Sequence, residues 1–402
     1  MPSAIGKKAL LLGAGFVCEP AVQALSEAGV KVTVASRTLS VAQALTANYK
    51  SATAIALDVA NEPENLCAAI SQTDIVISLI PYVHHALVVS AAIKYNKPVV
   101  TTSYISPALW TLDDQAKAAG ITVLNEIGLD PGIDHLYAVK TIDEVHKSGG
   151  QVTAFTSYCG ALPAPENSDN PLGYKFSWSP RGGLLALLNS AQWYRDNDIA
   201  TVDGENLMAA ASPQRIFPGF SLVGYPNRDS VGFRDFYNIP EAHTVFGAPY
   251  DMPAIGYFSQ ERMAVLERSG TTWVQLTISL LGLPESSSPK EVENAVRQKI
   301  EAFVKDKDDV DRVLSGLRWI GLFDPTPVDG YGTPLDVLCA VLETRMAYQP
   351  GERDMIVLQH IFDIKYADGS VEKRSSTLVE YGEPLRPGVA VRWRNLWDFP
   401  VL

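Results

Sequence analysis

The sequence has no long hydrophobic run. No stretch of roughly 18 uncharged apolar residues occurs, which is about the length that a membrane-spanning helix requires. The first residues, MPSAIGKKALLLG, lack the apolar segment and the small-residue cleavage site of a secretory signal peptide. We therefore expect a cytoplasmic protein that does not associate with a membrane.

Cysteine and histidine are scarce. The chain has four cysteines and no CxxC pair: Cys18, Cys67, Cys159 and Cys339. Among the six histidines, His84 and His85 are adjacent rather than four residues apart, so a helix would not aim both at one metal. We expect neither a disulfide framework nor a metal site, and we interpret the histidines as solvated or helix-capping side chains.

Positive charge is also in deficit. The formal net charge is −12, with 33 lysines and arginines against 45 aspartates and glutamates. A chain of this charge repels nucleic acid on average, so a small-molecule substrate is expected instead.

The first third of the chain alternates short apolar runs with helical stretches. The runs are apolar nearly throughout, as in strands covered on both faces: KALLL, VKVTVA, TAIAL, DIVISLI, KPVVTT and ITVLN. Helix-boundary signals separate them, namely Asn61 followed by Glu64, Ser106 before Pro107, and stops at Gly29 and Gly120. The pattern predicts an α/β Rossmann domain with a doubly wound parallel sheet over residues 1–130.

The remaining chain, 131–402, is predicted to form a second α+β domain, because 402 residues exceed one ordinary domain. Its expected elements are a strand VTAFTSYCG, an amphipathic helix Leu184–Arg195, a charged helical region Lys290–Leu317, a helix Leu335–Met346 and a hairpin turn Asp368–Gly369.

A glycine motif follows the first predicted strand: Gly13, Ala14, Gly15, Phe16 and Val17. Gly13 allows a tight turn, and Gly15 lets the backbone approach a pyrophosphate at the start of the next helix. Cys18 stands where the third glycine of the dinucleotide fingerprint is usual. The position after the first of six strands makes the motif specific and predicts dinucleotide binding.

The end of the second strand indicates which dinucleotide binds. An NAD enzyme places a carboxylate there for the ribose 2′-hydroxyl, but this chain has Ser36, Arg37 and Thr38. A guanidinium and two hydroxyls suit a 2′-phosphate, so NADP(H) is the predicted cofactor. An ordinary loop role for Arg37 stays open.

Further candidates lie at the ends of the other predicted strands, in the crevice where open α/β sheets bind ligands. Asp58 and Val59 suit the adenine, while Ile80 lies near the expected nicotinamide. A hydroxyl pair, a phenol and a carboxylate should converge on that same end: Thr102, Ser103, Tyr104 and Asp130. Turn chemistry is an equally good explanation of the Asp130-Pro131-Gly132 stretch.

Long motifs of the chain resemble the saccharopine reductase family, the glutamate-forming, NADP-dependent saccharopine dehydrogenases of fungal lysine biosynthesis. They include GAGFVCEP, VTVASRT, VISLIPY, TTSYISP, NEIGLDPGIDHLYAVKTIDEVHKSGG, SYCGALPAPENSDNPLGYKFSWSPRG and LCAVLETRMAYQPGERDMIVLQH. The resemblance implies that α-aminoadipate 6-semialdehyde and glutamate form an imine, which NADPH reduces to saccharopine. It also implies a homodimer formed through the second domain.

The resemblance also assigns site residues. The implied cofactor contacts are Ala14, Gly15, Phe16, Val17, Ser36, Arg37, Thr38, Asp58, Val59, Ile80, Thr102, Ser103, Leu129, Asp130, Pro131 and Ser179. The implied saccharopine contacts are Ser103, Tyr104, Asp130 and Arg228. Arg228 suits a substrate carboxylate and Asp130 suits the protonated secondary amine. Tyr104 and Cys159 are the nearest candidates for proton transfer, although a plain buried role explains Cys159 equally well.

The motifs stop matching over residues 245–279, where the family carries an arginine-containing segment that contacts saccharopine, and again over residues 383–402. Two other interpretations therefore stay open. One is a catalytically impaired NADPH-binding protein with a sensing or partner-binding role, and the other is a dehydrogenase of a different amino-acid imine.

Overall fold

The computed structural model describes residues 4–15, 17–177, 180–216, 220, 222–251, 271–304, 306–328 and 333–382. These residues divide into two units, the first ending at Tyr137 and the second beginning at Ala138. The predicted boundary at residue 130 stays a prediction. Among the described residues, no helix combines the length and the apolar character needed to cross a membrane.

The first unit is built on a parallel sheet of six strands in the order β3-β2-β1-β4-β5-β6. Their bounds are β1 Lys8–Leu12, β2 Lys31–Ser36, β3 Ala52–Ala56, β4 Ile75–Ser78, β5 Val99–Thr101 and β6 Val123–Leu124. Each lies within or beside one of the six predicted apolar runs, so the predicted doubly wound sheet is confirmed. The central strand β1 is buried on both faces, as the uninterrupted apolar run indicates.

Helices connect these strands: α1 Cys18–Glu27, α2 Leu39–Thr46, α3 Pro63–Ser71, α4 His85–Lys94, α5 Pro107–Trp110 and α6 Asp113–Ala118. Ser106 caps α5 as predicted, since its hydroxyl accepts a hydrogen bond from the Leu109 N–H at 3.3 Å. The predicted cap at Asn61 is wrong. Glu62 precedes α3 instead, and the Asn61 amide donates a hydrogen bond to the Asp58 carboxylate at 3.0 Å.

Helix α7, Ile133–Lys147, leads into a second, mixed sheet with the order β10-β11-β12-β7-β13-β14 and with β8 and β9 attached beside β12. The bounds are β7 Gly150–Pro163, β8 Ala191–Arg195, β9 Asp198–Val202, β10 Ser212–Gln214, β11 Leu222–Gly224, β12 Thr244–Asp251, β13 Asp354–Tyr366 and β14 Val371–Tyr381. The predicted hairpin between β13 and β14 is confirmed, and Gly369 in its turn has a φ of 85°.

The remaining helices are α8 Pro180–Ala186, α9 Phe233–Phe236, α10 Trp273–Leu281, α11 Pro289–Phe303, α12 Lys307–Ile320 and α13 Pro334–Arg345. The charged region predicted as helical is two helices, because Asp306 begins a new one by accepting from the Asp308 N–H at 2.8 Å. Helix α13 confirms the helix predicted over 335–346. Short 3-10 turns complete the described fold.

The helix predicted over Leu184–Arg195 is wrong. Helix α8 ends at Ala186, and the following residues form β8, which pairs with β9 in a tight hairpin. Asp196 and Asn197 occupy the turn with φ values of 52° and 70°. Two consecutive residues of positive φ match the twist of a hairpin, and this turn chemistry overrides the helical periodicity upstream.

The buried centre of the first sheet sets its stability. Leu11 is 0% exposed, whereas Leu124 on the edge strand β6 is 47% exposed. We expect Leu11→Ala to lower the free energy of unfolding by about 2 to 5 kcal/mol, because it leaves a cavity in the cluster that Leu11 forms with Cys18, Val22 and Ala42. Urea unfolding of the variants measures this. Leu124→Ala is the matched control, with an expected change within about 0.5 kcal/mol, and equal losses in the two variants would contradict the burial argument.

Candidate active site

The carboxyl ends of β1, β2, β4, β5 and β6 meet at one edge of the parallel sheet. The strand order runs outward in one direction from β1 to β3 and in the other from β4 to β6. A crevice opens where such an order reverses, here between the ends of β1 and β4, and ligands of open α/β sheets bind there. The predicted site residues of the first unit lie along this edge.

The turn between β1 and α1 depends on glycine. Gly13 has a φ of 116°, and a Cβ added there would lie 2.8 Å from the Leu79 carbonyl oxygen. Among the described residues, no heavy atom lies within 4 Å of a Cβ built on Gly15, which leaves room beside the helix start for a ligand. Cys18, in place of a third glycine, is 0% exposed, and burial raises the pKa of its thiol to about 11. This cysteine is therefore a packing residue.

The neighbouring residues of this turn differ in exposure. Val17 precedes α1 and is 45% exposed, whereas Ala14 packs against the core cluster around Cys18. Phe16 lies outside the described residues. An exposed, uncapped helix start beside two glycines is the geometry that holds a pyrophosphate through backbone N–H groups.

Arg37 follows β2 at the same edge. Its guanidinium is exposed and makes no hydrogen bond or ion pair with any residue of the described ranges. Ser36 accepts a hydrogen bond from the Thr38 N–H at 3.3 Å, so the two hydroxyl residues flank the arginine in a tight turn. A guanidinium and hydroxyls with no carboxylate in the turn suit a dianionic phosphate.

Asp58 and Val59 follow β3. The Asp58 carboxylate accepts hydrogen bonds from the Asn61 amide at 3.0 Å and from the Ala60 N–H at 3.0 Å. The Asn61 amide is the main reason why the pKa of Asp58 is lowered, so the group is an ionised acceptor in a fixed orientation. Val59 is 8% exposed and Ile80 packs against the same core cluster. Their contacts with the cofactor stay predictions.

Tyr104 and Asp130 are brought together as the sequence predicted. The Tyr104 hydroxyl, after β5, donates a hydrogen bond to Asp130 Oδ1 at 2.6 Å, although 26 residues separate the two. The loop carrying Asp130 closes through the Gly128 N–H, which donates to the Pro131 carbonyl at 2.8 Å. At Gly132 a Cβ would overlap the Gly128 carbonyl, so only glycine fits. Leu129 in the same loop accepts from the Asp134 N–H at 3.2 Å.

A buried ionisable group, not predicted from the sequence, lies in the helix that follows this loop. Burial and the charge of Asp130 raise the pKa of Asp134 to about 7. His135 Nε2 lies 2.9 Å from a carboxylate oxygen of Glu126. Burial alone would lower the pKa of His135, but the neighbouring Glu126 carboxylate and the charge of Asp134 raise it. The run Asp134-His135 beginning a helix after a glycine loop was the available signal.

The interpretation of the histidines as solvated or capping is wrong for His85. This residue begins α4 but is 1% exposed, because its ring lies beneath the strand ends. Its two ring nitrogens contact the hydroxyls of Ser78 at 2.9 Å and Ser103 at 3.0 Å. Ser103 is therefore held by the core of the unit, while Thr102 is half-buried beside it.

Three predicted site residues belong to the second unit, and two of them, Cys159 and Arg228, are among the described residues. Cys159 lies in β7 and is 8% exposed, which is compatible with both roles considered for it. Arg228 is exposed and has a φ of 43°, which is a left-handed backbone conformation. Its carbonyl oxygen accepts a hydrogen bond from the Gln192 N–H at 2.8 Å. Ser179 lies outside the described residues.

The crevice, the glycine turn and the free arginine define an NADP-dependent dehydrogenase of the Rossmann class. Residues 9–124 match the family of the saccharopine dehydrogenase NADP binding domain, and residues 128–390 match that of the saccharopine dehydrogenase C-terminal domain. The chain therefore belongs to the saccharopine dehydrogenase family. The predicted fold class, cofactor and family resemblance are confirmed.

Curated relatives are similar in sequence to this chain over nearly its whole length. Saccharopine dehydrogenase [NADP(+), L-glutamate-forming] of Pyricularia oryzae is 48% identical over 392 residues, which are 95% of this chain and 86% of that protein. The Saccharomyces cerevisiae enzyme of the same name is 50% identical over 390 residues, covering 94% and 86%. The solved apo saccharopine dehydrogenase (L-Glu forming) from Saccharomyces cerevisiae superimposes with a TM-score of 0.82 at 49% identity, over 94% of this chain and 86% of that chain.

The match to the C-terminal family extends across residues 245–279, where the motifs indicated a break. The described ends of that segment are regular: β12 pairs with β7 from Thr244 onward, and α10 begins with a complete capping box at Thr272 and Gln275. Residues 252–270 and 383–402 lie outside the described residues.

Arg37 should determine which dinucleotide binds. We expect Arg37→Ala to weaken NADPH binding by about 10- to 100-fold, because a charge-assisted contact with the 2′-phosphate is lost. NADH binding should be unchanged. Fluorescence titration of both cofactors measures the ratio, with Lys31→Ala, an exposed cation at the other end of β2, as the control. An equal loss for NADPH and NADH would contradict the assignment.

Asp134 should make stability depend on pH. Its pKa is about 7 in the folded chain, above the ordinary value, so its contribution is present at low pH and is lost as pH rises through 7. We expect the wild type to lose on the order of 2 kcal/mol relative to Asp134→Asn between pH 5 and pH 8.

Urea unfolding at a series of pH values tests this expectation. Asp143→Asn, which removes an exposed carboxylate from the same helix, is the matched control and should follow the wild type. If the free energy of unfolding of the wild type and of Asp134→Asn changed in parallel with pH, the pKa of Asp134 would be the same in the folded and unfolded chains. That outcome would contradict the prediction.

Proposed function

We propose that this chain catalyses the NADPH-dependent condensation of α-aminoadipate 6-semialdehyde with L-glutamate to give saccharopine. The observation that carries the proposal is the match to glutamate-forming saccharopine dehydrogenases at 48% and 50% identity over almost the whole chain. The alternatives of an NADPH-binding protein without turnover, or of a different imine substrate, have no comparable support.

The first unit fits NADPH. The N–H groups at the start of α1 and the space beside Gly15 suit the pyrophosphate, and Arg37 with Ser36 and Thr38 suits the 2′-phosphate. When bound, the cofactor supplies the hydride that reduces the imine carbon. The residues after β4, β5 and β6 lie at the edge of the sheet where the nicotinamide half is expected, so they orient the acceptor for transfer.

Asp130 is the residue we assign to the nitrogen of the substrate. Its carboxylate is fixed by the Tyr104 hydroxyl at 2.6 Å and keeps a second oxygen for an ammonium partner. The secondary amine of the product is cationic, so a carboxylate stabilises the charge that the nitrogen carries after reduction. Tyr104 holds that carboxylate in place and is the nearest phenol for proton transfer.

The second unit supplies the other proposed contacts. Arg228, exposed on a backbone turn held by Gln192, presents a fork of donors that suits a substrate carboxylate. Cys159 is proposed as a further proton donor or as a packing residue. We also propose a homodimer and a cytoplasmic location, on the strength of the family resemblance.

Steady-state assay of the full chain tests the function. NADPH oxidation should require both the semialdehyde and glutamate, and saccharopine should reduce NADP in the reverse direction. NADPH binding without turnover would support the impaired protein, and turnover only with another amino acid would support the different dehydrogenase.

Arg228→Ala sharpens this assay. We expect the KM for saccharopine to rise about 10- to 100-fold with the KM for NADP unchanged, because a charged contact to the substrate alone is lost. Arg195→Ala, another exposed arginine of the second unit, should behave as the wild type. An unchanged KM for saccharopine in Arg228→Ala would remove this residue from the substrate site.

A further inference from the structure

A chain of hydrogen bonds runs from the core of the first unit to one of the proposed substrate contacts. Ser78, the last residue of β4, contacts His85 Nδ1 at 2.9 Å, and His85 Nε2 contacts the Ser103 hydroxyl at 3.0 Å. Ser78 is 0% exposed and His85 is 1% exposed, whereas Ser103 is half-buried at the crevice. The hydrogen-bond chain therefore has one end buried in the core and one end partly exposed at the crevice.

The imidazole in the middle of this chain is neutral. Burial is the main reason why the pKa of His85 is lowered to about 4, and the adjacent His84 lowers it further. A neutral imidazole has one nitrogen that donates and one that accepts. Only two arrangements of hydrogen atoms along the chain are then possible, and they run in opposite directions.

The buried end decides between the two directions. Within the described residues, the Ser78 hydroxyl contacts His85 Nδ1 and no other polar atom. If Nδ1 carried the proton, the hydroxyl hydrogen of Ser78 would be buried without an acceptor, which is a costly arrangement. Ser78 therefore donates to Nδ1, and the proton of the ring is on Nε2, where it is donated to Ser103.

We infer that His85 is a positioning residue that fixes the Ser103 hydroxyl as a hydrogen-bond donor toward a carboxylate oxygen of the bound substrate. Because Ser103 Oγ accepts from Nε2–H, its own O–H points away from the core and toward the crevice. A neutral donor of this kind selects an acceptor oxygen without adding positive charge beside the nicotinamide. The identity of the ligand rests on the proposed function. The direction of the hydrogen bonds from Ser78 to Ser103 does not.

Nitrogen-15 NMR of the full chain with labelled histidine tests the direction without any assay of activity. Six histidines make the spectrum tractable, and His85→Gln assigns the resonance. We expect a pyridine-type signal for Nδ1 and a pyrrole-type signal for Nε2 that does not titrate between pH 6 and pH 8. The opposite tautomer, or titration in that range, would overturn the inference even if the enzyme is active.

A double-mutant cycle tests the consequence for substrate. We expect Ser103→Ala and His85→Leu each to raise the KM for saccharopine about tenfold, with smaller changes in kcat, and the double variant to be no worse than Ser103→Ala alone. His85→Gln should recover most of the loss, since its amide can donate to Ser103 from a similar position. Additive effects in the double variant would show that His85 acts only by packing.

His84→Asn is the matched control, because this neighbour is outside the chain of hydrogen bonds and should leave the KM unchanged. If His85→Leu does not fold, the NMR result and His85→Gln still decide the matter. A correct tautomer combined with no turnover by the wild type would contradict the proposed function while leaving the hydrogen-bond direction intact.

Discussion

The close approach of two backbone segments underlies the site. Gly13, after β1, lies against the carbonyl of Leu79, after β4, at a distance that no side chain tolerates. These two strands are the neighbours at which the order of the sheet reverses. Because the backbones touch there, the start of α1 and the ends of β4 and β5 face one crevice, and cofactor and acceptor groups share one edge.

The surroundings of the ionisable groups at that edge shift their pKa values in different directions. His85 contacts two hydroxyls and burial lowers its pKa to about 4, whereas the Glu126 carboxylate, 2.9 Å from His135, raises the pKa of that histidine. Burial and the neighbouring Asp130 raise the pKa of Asp134 to about 7. The surroundings of each side chain, rather than its residue type, thus determine whether its pKa is raised or lowered.

The sequence was most informative where local rules and tertiary structure agree. Apolar runs covered on both faces predicted all six strands of the first sheet, and strand ends predicted the meeting of Tyr104 with Asp130. It was least informative where a contact or turn in the folded chain overrides the local pattern. Asn61 bonds Asp58 instead of capping a helix, the Asp196-Asn197 turn makes a hairpin from a helical pattern, and His85 is buried against hydroxyls that follow two different strands.

A Rossmann unit leaves the choice of acceptor to the few groups placed beyond its strand ends. In this chain we propose that those groups include the Asp130 carboxylate, the Tyr104 phenol bonded to it, and the Ser103 hydroxyl, which contacts the His85 ring. An anion and neutral donors together suit a cationic nitrogen flanked by carboxylates, and they suit an uncharged carbonyl substrate poorly. On the proposed assignment, the low pKa of His85 keeps a positive charge away from Ser103, so that the Asp130 carboxylate is the charged group offered to the nitrogen of the substrate.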